Sequence, residues 1–219
     1  MATGRYIIVD DHPLFRGALR QALTAAFKAA VIDEAGSLDE LIEQLKAAEE
    51  VDLVLLDLAM PGVQGLSGLL LLRREYPDVP VIVVSATDDP AIIRRCIEFG
   101  ASGYVPKSQP VEHIRDAVRS VMSGEVWVPS DVSMDSTASN GDRALASRLS
   151  ALTPQQMRVL MMLGEGLLNK QIAFKLSVSE ATIKAHVSAI LQKLGVDSRT
   201  QAVIAISKIG MAEWPKATS

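Results

Sequence analysis

The stretch "VDLVLLDLAMPG", Val51 to Gly62, begins apolar and β-branched, carries Asp57 in its middle and ends in a proline–glycine breaker. A carboxylate inside a core strand is costly unless its pKa shifts or a partner compensates it. The run therefore reads as a buried strand whose tip is Asp57. Pro61-Gly62 then turns the chain away so that the carboxylate stays reachable in a cleft.

Four further strand-like runs surround it: "YIIVD" at Tyr6, "VIDEA" at Val31, "VPVIVVS" at Val79 and "GYV" at Gly103. Between them the spacing predicts helices over about 14–27, 38–49, 66–76, 91–99 and 111–123. Strands alternating with helices imply an α/β doubly wound parallel sheet covered on both faces. Sites in such sheets lie at the carboxyl ends of the strands.

Those ends carry compatible chemistry. The first run ends in Asp10 and Asp11, the third in Asp57, the fourth in Ser85, and Lys107 follows the fifth. Converging carboxylates repel one another unless a cation or protons intervene, so a hard divalent ion such as Mg²⁺ fits them. Acids, a hydroxyl and a lysine together suit a phosphoryl group, with Asp57 as nucleophile, Lys107 and the metal neutralising phosphate oxygens, and Ser85 donating. Taken singly, Asp10 and Asp11 before His12-Pro13 also read as a turn or helix cap, and Asp57 as a turn residue.

The order "VDD", "LLDLAMPG", "VVSA" and "GYVPK" resembles the receiver domain of two-component response regulators. The resemblance implies a flavodoxin-like (βα)5 fold over residues 1–124 and phosphorylation of Asp57 by a sensor histidine kinase. It implies Mg²⁺ held by Asp11, Asp57 and the carbonyl of Ala59 with help from Asp10, and phosphoryl binding by Ser85, Ala86 and Lys107. It further implies a switch in which the Ser85 hydroxyl moves toward the phosphoryl group and the Tyr104 ring turns inward behind it.

Composition bounds the rest. The 219 residues are 48% hydrophobic and 22% charged, with a net charge of −4. That charge is uneven: residues 1–124 hold 12 Lys+Arg against 18 Asp+Glu, whereas residues 150–219 hold 8 against 4. An acidic front and a basic rear predict two domains with different partners. The Ser-, Asp- and Gly-rich stretch from Val128 to Ala144 predicts a mobile linker within 125–149. No apolar run approaches the ~20 residues of a membrane span. The opening "MATGRYIIVDD" lacks the regions of a secretory signal, so a cytoplasmic location is expected. The lone Cys96, beside Ile92, Ile93 and Ile97, is expected in the core.

The rear segment, 150–219, is dense in helix punctuation. Thr153-Pro154 with Gln156, Ser179, and Ser198 with Gln201 mark caps, and four short helices fit about 154–164, 169–176, 180–194 and 199–208. The middle pair has helix-turn-helix spacing. On the third helix Ile183, Val187, Ile190, Leu191 and Leu194 share a core face. The opposite face centres on Ala185, Ser188, Ala189 and Gln192, flanked by Lys184, His186 and Lys193. Small and hydrogen-bonding residues between cations suit a DNA major groove, although the same face also reads as ordinary solvated surface.

The segment from Leu152 to Val203, with "NKQIA", "LSVSEATIKAHVSAILQKLGV" and "RTQAV", resembles the LuxR-type helix-turn-helix, a small all-α four-helix domain. Joined to the front domain, it makes the chain resemble the NarL/FixJ-type response regulators. The family usually has glutamate where Gln156 and Arg158 stand. The resemblance implies that Lys184, Ala185 and Ser188 face bases and that Lys193 and neighbours hold the backbone. Thr182, His186 and Gln192 complete the expected DNA-binding set. The chain is thus expected to be a regulator and not an enzyme, active as a homodimer on paired half-sites of double-stranded DNA. Its rivals are a DNA-binding regulator independent of phosphorylation, and an aspartyl-phosphate phosphatase. The latter places its nucleophile after the first strand, unlike Asp57.

Overall fold

The computed structural model describes residues 4–48, 50–60, 65–134, 144–145, 147–149 and 151–210, with side chains as far as residue 205. Pro61 and Gly62, expected to form the turn after Asp57, and residues 135–143 and 146 of the expected linker lie outside the described residues.

The front domain alternates strand and helix: β1 (Arg5–Val9), α1 (Pro13–Ala26), β2 (Val31–Ala35), α2 (Leu38–Ala47), β3 (Leu53–Leu56), α3 (Ser67–Glu75), β4 (Val81–Ser85), α4 (Pro90–Glu98), β5 (Gly103–Pro106) and α5 (Val111–Met122). All five strands are parallel, in the order β2-β1-β3-β4-β5, which is the flavodoxin-like doubly wound sheet. Side chains alternate between its faces. Ile7, Val9, Val54, Leu56, Val81 and Val83 pack with α2, α3 and α4, whereas Tyr6, Ile8, Leu53, Leu55, Ile82 and Val84 pack with α1 and α5. Because both faces are covered, β3 and β4 are buried at every position. Cys96 is fully buried on α4, and burial pushes its thiol up, so it packs as a small apolar residue.

Trp127 lies within the stretch 125–149 expected as linker. Trp127 pairs with the edge strand: the Tyr104 N–H donates to the Trp127 carbonyl (3.0 Å) and the Trp127 N–H to the Ser102 carbonyl (3.1 Å). An edge strand presents unpaired backbone groups; the Trp127 backbone pairs two of them while its ring packs against the α1–α5 core.

The rear domain is helical among the described residues: α6 (Pro154–Gly164), α7 (Asn169–Lys175), α8 (Glu180–Leu194) and α9 (Arg199–Gly210). Thr153 accepts from the Gln156 N–H (3.2 Å) while Gln156 Oε1 accepts from the Thr153 N–H (3.0 Å), a reciprocal capping box. Ser179 Oγ accepts from the Thr182 N–H, and Gly195 ends α8 at φ +66°, a left-handed position that glycine takes without strain. Between α7 and α8 the chain turns through Ser177 at φ +53°. Among the described residues no helix is long and apolar enough to cross a membrane.

The two domains touch where α3 packs on α6. Thr153→Ala should remove the α6 cap at a cost of about 1 kcal/mol. Calorimetry of the full chain should show the output-domain transition lowered, and an unchanged transition would mean that the capping box carries none of the helix's stability.

Candidate phosphoacceptor site and nucleic-acid face

Parallel pairing brings the acidic residues together. Val9 of β1 is opposite Leu56 of β3, so Asp10 and Asp57, one step beyond each, meet at the same sheet edge. Backbone bonds fix both: the Asp57 N–H donates to the Val9 carbonyl (2.8 Å) and the Asp10 N–H to the Ala35 carbonyl (3.1 Å). Lys107 arrives from β5, its N–H donating to the Ser85 carbonyl (2.6 Å) at the tip of β4. Its ammonium then reaches Asp57 Oδ2 at 2.8 Å and Asp10 Oδ2 at 2.6 Å.

Asp57 has 0% exposure, so the sequence-based expectation of a reachable carboxylate is corrected in this conformation. The apolar sheet edge and the overlying lysine cover it. Burial is the main cause that pushes the Asp57 carboxyl above the usual carboxylate range. Lys107 and the N–H of Ala59, which donates to Oδ1 at 3.1 Å, pull it down, and the nearby Asp10 charge pushes it up again.

Three neighbours escaped the sequence reading as members of the site. The Phe15 ring lies 4.7 Å from the Lys107 ammonium, a cation–π contact that steadies it. Arg16 Nη1 donates to the Asp10 carbonyl at 2.5 Å while its Nε meets Glu34. His12 Nδ1 lies 2.8 Å from Asp11 Oδ1 and 3.1 Å from Asp10 Oδ1. The helical start "HPLFR" gave only a cap signal; that its side chains fold back over the strand tips is a tertiary fact.

One ligand atom each from Asp10, Asp11, His12 and Asp57 falls within 4.8 Å of the others. Three carboxylates supply the hard oxygen donors that a divalent cation of the Mg²⁺ type takes. The Ser85 hydroxyl at the same edge is fully buried and forms no hydrogen bond of ordinary geometry, though it lies beside the Tyr104 hydroxyl. Ala86, next along, is exposed at the rim.

Tyr104 is already turned inward. Its ring already has 0% exposure, and its hydroxyl donates to the Thr87 carbonyl at 2.8 Å. Burial, with Cys96 nearby, pushes the phenol well up, so it stays a donor. An inward ring with a satisfied hydroxyl needs no phosphoryl group to hold it.

On α8, Ile183, Ile190 and Leu194 are buried. Thr182, Lys184, Ala185, Ser188 and Gln192 are exposed, and His186 is half-buried. Lys184 makes only an exposed contact with Glu180, at 3.3 Å. The Lys193 ammonium donates to the Ala151 carbonyl (2.9 Å) and to Gln156 Oε1 (2.8 Å), tying α8 to the start of α6.

The Asp57 carboxyl should titrate above an ordinary aspartate, and Lys107→Ala should move it further up, as carboxyl-carbon NMR of the full chain would report. The sign is fixed: losing the ammonium favours the neutral acid, so metal affinity should fall on acidification at a higher pH in the variant. A titration unaffected by the substitution would remove Lys107 from the site.

Comparison with known proteins agrees with this architecture. Residues 6–119 match the response regulator receiver domain, and residues 150–206 match the bacterial regulatory proteins of the luxR family. The glycerol metabolism activator of Pseudomonas putida is 40% identical over 217 residues, covering 96% of this chain and 98% of that protein. The nitrate/nitrite response regulator protein NarP of Escherichia coli is 36% identical, covering 90% and 92%. The solved structure of a two-component response regulator, an RcsB–DNA complex, shares the fold with a TM-score of 0.56 at 24% identity, covering 94% and 98%. A receiver sheet with its acids at one edge, continued by a luxR-family helical domain, places this chain among the NarL/NarP-type response regulators, DNA-binding transcription regulators rather than enzymes.

Proposed function

We propose that phosphorylation of Asp57 by a sensor histidine kinase controls sequence-specific DNA binding by α8, and through it transcription. The observation that carries this reading is the convergence of Asp10, Asp57 and Lys107 on one point beside the unpartnered Ser85 hydroxyl. In the transfer, Asp57 Oδ attacks phosphorus, an O–P bond forms, and the P–N bond to the donor imidazole breaks, with its electron pair left on nitrogen. Lys107 must leave Asp57 Oδ2 for a phosphoryl oxygen, and Ser85 gains the acceptor that it lacks. Asp10, Asp11, Asp57 and the carbonyl of Ala59 would hold Mg²⁺, which supplies charge neutralisation at the phosphoryl oxygens. With Tyr104 already inward, Ser85 is the moving member of the switch, and Ala86 follows it.

The reading face is Thr182, Lys184, Ala185, Ser188 and Gln192, with His186 at its margin. Lys193 contributes by fixing α8 on its domain. A single small module buries little DNA surface, so two copies acting on paired half-sites, in the cytoplasm, complete the reading. The receiver spans about 1–124, and the output domain 150–219.

Intact-mass spectrometry with a small phosphodonor should add one group of about 80 Da, the mass of a phosphoryl on the carboxylate nucleophile, only with a divalent metal and only where Asp57 is intact. The same adduct on Asp57→Asn would refute the assignment. Lys184→Ala should weaken operator binding by about 1–3 kcal/mol with the fold unchanged by circular dichroism, whereas wild-type affinity would move the reading surface off α8.

A further inference from the structure

His12, beside the phosphoacceptor site, does not do the work its position favours. It is the N-cap of α1, where a side chain that accepts a backbone N–H is preferred, yet its ring makes no capping bond. Its backbone is held extended (φ −91°, ψ 102°) by Pro13 after it and by its own N–H, which donates to Asp10 Oδ1 at 2.8 Å. The ring folds back on the acids instead. Nδ1 lies 2.8 Å from Asp11 Oδ1 and 3.1 Å from Asp10 Oδ1, with the side chain 65% exposed and so open to solvent.

The geometry is that of converging ligands rather than of an ordinary ion pair. Toward Asp10 Oδ1 the ring has hydrogen-bond geometry; toward Asp11 Oδ1, the nearer oxygen, it has none, and that oxygen is buried without a hydrogen bond. An ion pair alone would align the N–H with the nearer acceptor. Asp10 is 2% exposed, and its Oδ2 also lacks a hydrogen bond, with the Lys107 ammonium facing it at 2.6 Å. Neighbouring donors around an octahedral ion with bonds of about 2.1 Å lie about 3 Å apart. The two distances from Nδ1 bracket that spacing. Lys107 leaves the point free, because it takes the Oδ2 atoms of Asp10 and Asp57, whereas His12 faces the Oδ1 atoms of Asp10 and Asp11.

We propose that His12 is an imidazole ligand, through Nδ1, for a divalent transition ion held also by Asp10, Asp11 and Asp57, and that it makes this site discriminate such an ion from Mg²⁺. The inference rests on the metal-assisted phosphoacceptor reading above and adds a nitrogen donor to its oxygen set. Imidazole suits the borderline ions of the first transition row, whereas Mg²⁺ prefers oxygen and keeps several of its waters. With Mg²⁺ a water stays between ion and ring; with Co²⁺ or Mn²⁺ the nitrogen takes that place. His12 is therefore felt by one class of ion and not by the other. Affinity for a mixed nitrogen and oxygen site rises from Mn²⁺ to Co²⁺, so Co²⁺ is the sharper probe of binding.

Calorimetry on the full chain at one fixed pH should show Co²⁺ bound more tightly than Mg²⁺. His12→Gln should weaken Co²⁺ binding about tenfold, the scale of losses seen when a metal site is altered, and leave Mg²⁺ binding unchanged. Pulsed electron paramagnetic resonance of the Mn²⁺-loaded chain should show the nitrogen coupling of one directly bound imidazole. That coupling should persist when the chain's other histidines are replaced, in His113→Ala and His186→Ala, and vanish in His12→Gln. A ring with a merely structural role would affect both ions alike and leave no nitrogen coupling to lose. Co²⁺ affinity that is unchanged in His12→Gln, or that falls no more than Mg²⁺ affinity, would overturn the proposal. So would a wild-type Mn²⁺ spectrum without imidazole nitrogen, or a coupling that survives His12→Gln. Wild type that binds none of the three ions would instead remove the metal-assisted phosphoacceptor reading, and the role of His12 with it.

Discussion

Two carboxylates without access to water, side by side at neighbouring strand tips, cannot both stay ionised unless a cation lies between them. Lys107 is that cation, 2.6 Å from Asp10 and 2.8 Å from Asp57. Much of the receiver serves this placement. The parallel register sets the acids abreast, the Lys107 N–H is pinned to the tip of β4, and Phe15 supports the ammonium from α1. The arrangement also stores the means of change, because a buried ion pair is strongly favourable only while every member stays. Adding charge to Asp57 redistributes the lysine first, and the groups packed around it next.

Those groups are arranged unequally. Tyr104 is settled, with its ring buried and its hydroxyl on the Thr87 carbonyl, whereas Ser85 is buried with its hydrogen-bonding capacity unused. A satisfied group resists movement and an orphaned one accepts it. On the other face, the loop after Asp57 and α3 share one apolar cluster with α6. The receiver and the output domain meet through packing as well as through the Glu75–Arg158 ion pair.

The output domain is small, and its helices are packed on a shared apolar core while caps set where they begin and end. The Thr153–Gln156 box, the Ser179 cap and the left-handed Gly195 fix the ends of α6 and α8. Lys193 joins the two helices through the same Gln156 that closes the box. One side chain thus holds the cap and orients the reading helix. That leaves Lys184 as the cation of the exposed face that makes only a solvent-exposed pairing.

What the sequence determined by itself is what local pattern and chain order encode. Alternating strand and helix periods gave the doubly wound sheet with helix ends within a few residues, and acids, a hydroxyl and a lysine at successive strand ends marked the site. Caps at Thr153, Ser179 and Ser198 marked the starts of three of the four output helices. What only the tertiary structure decided is which partner each side chain takes and how far each is removed from water. The covering of Asp57 by Lys107, the return of His12, Phe15 and Arg16 over the strand tips, and the inward Tyr104 depend on residues far apart in the chain. So do the commitment of Lys193 to Gln156 and the pairing of Glu75 with Arg158, which lie 83 residues apart. Periodicity reports which face of an element is buried. It carries no record of what lies opposite, because the energy of a buried charge is set by the groups folding brings within a few ångströms of it.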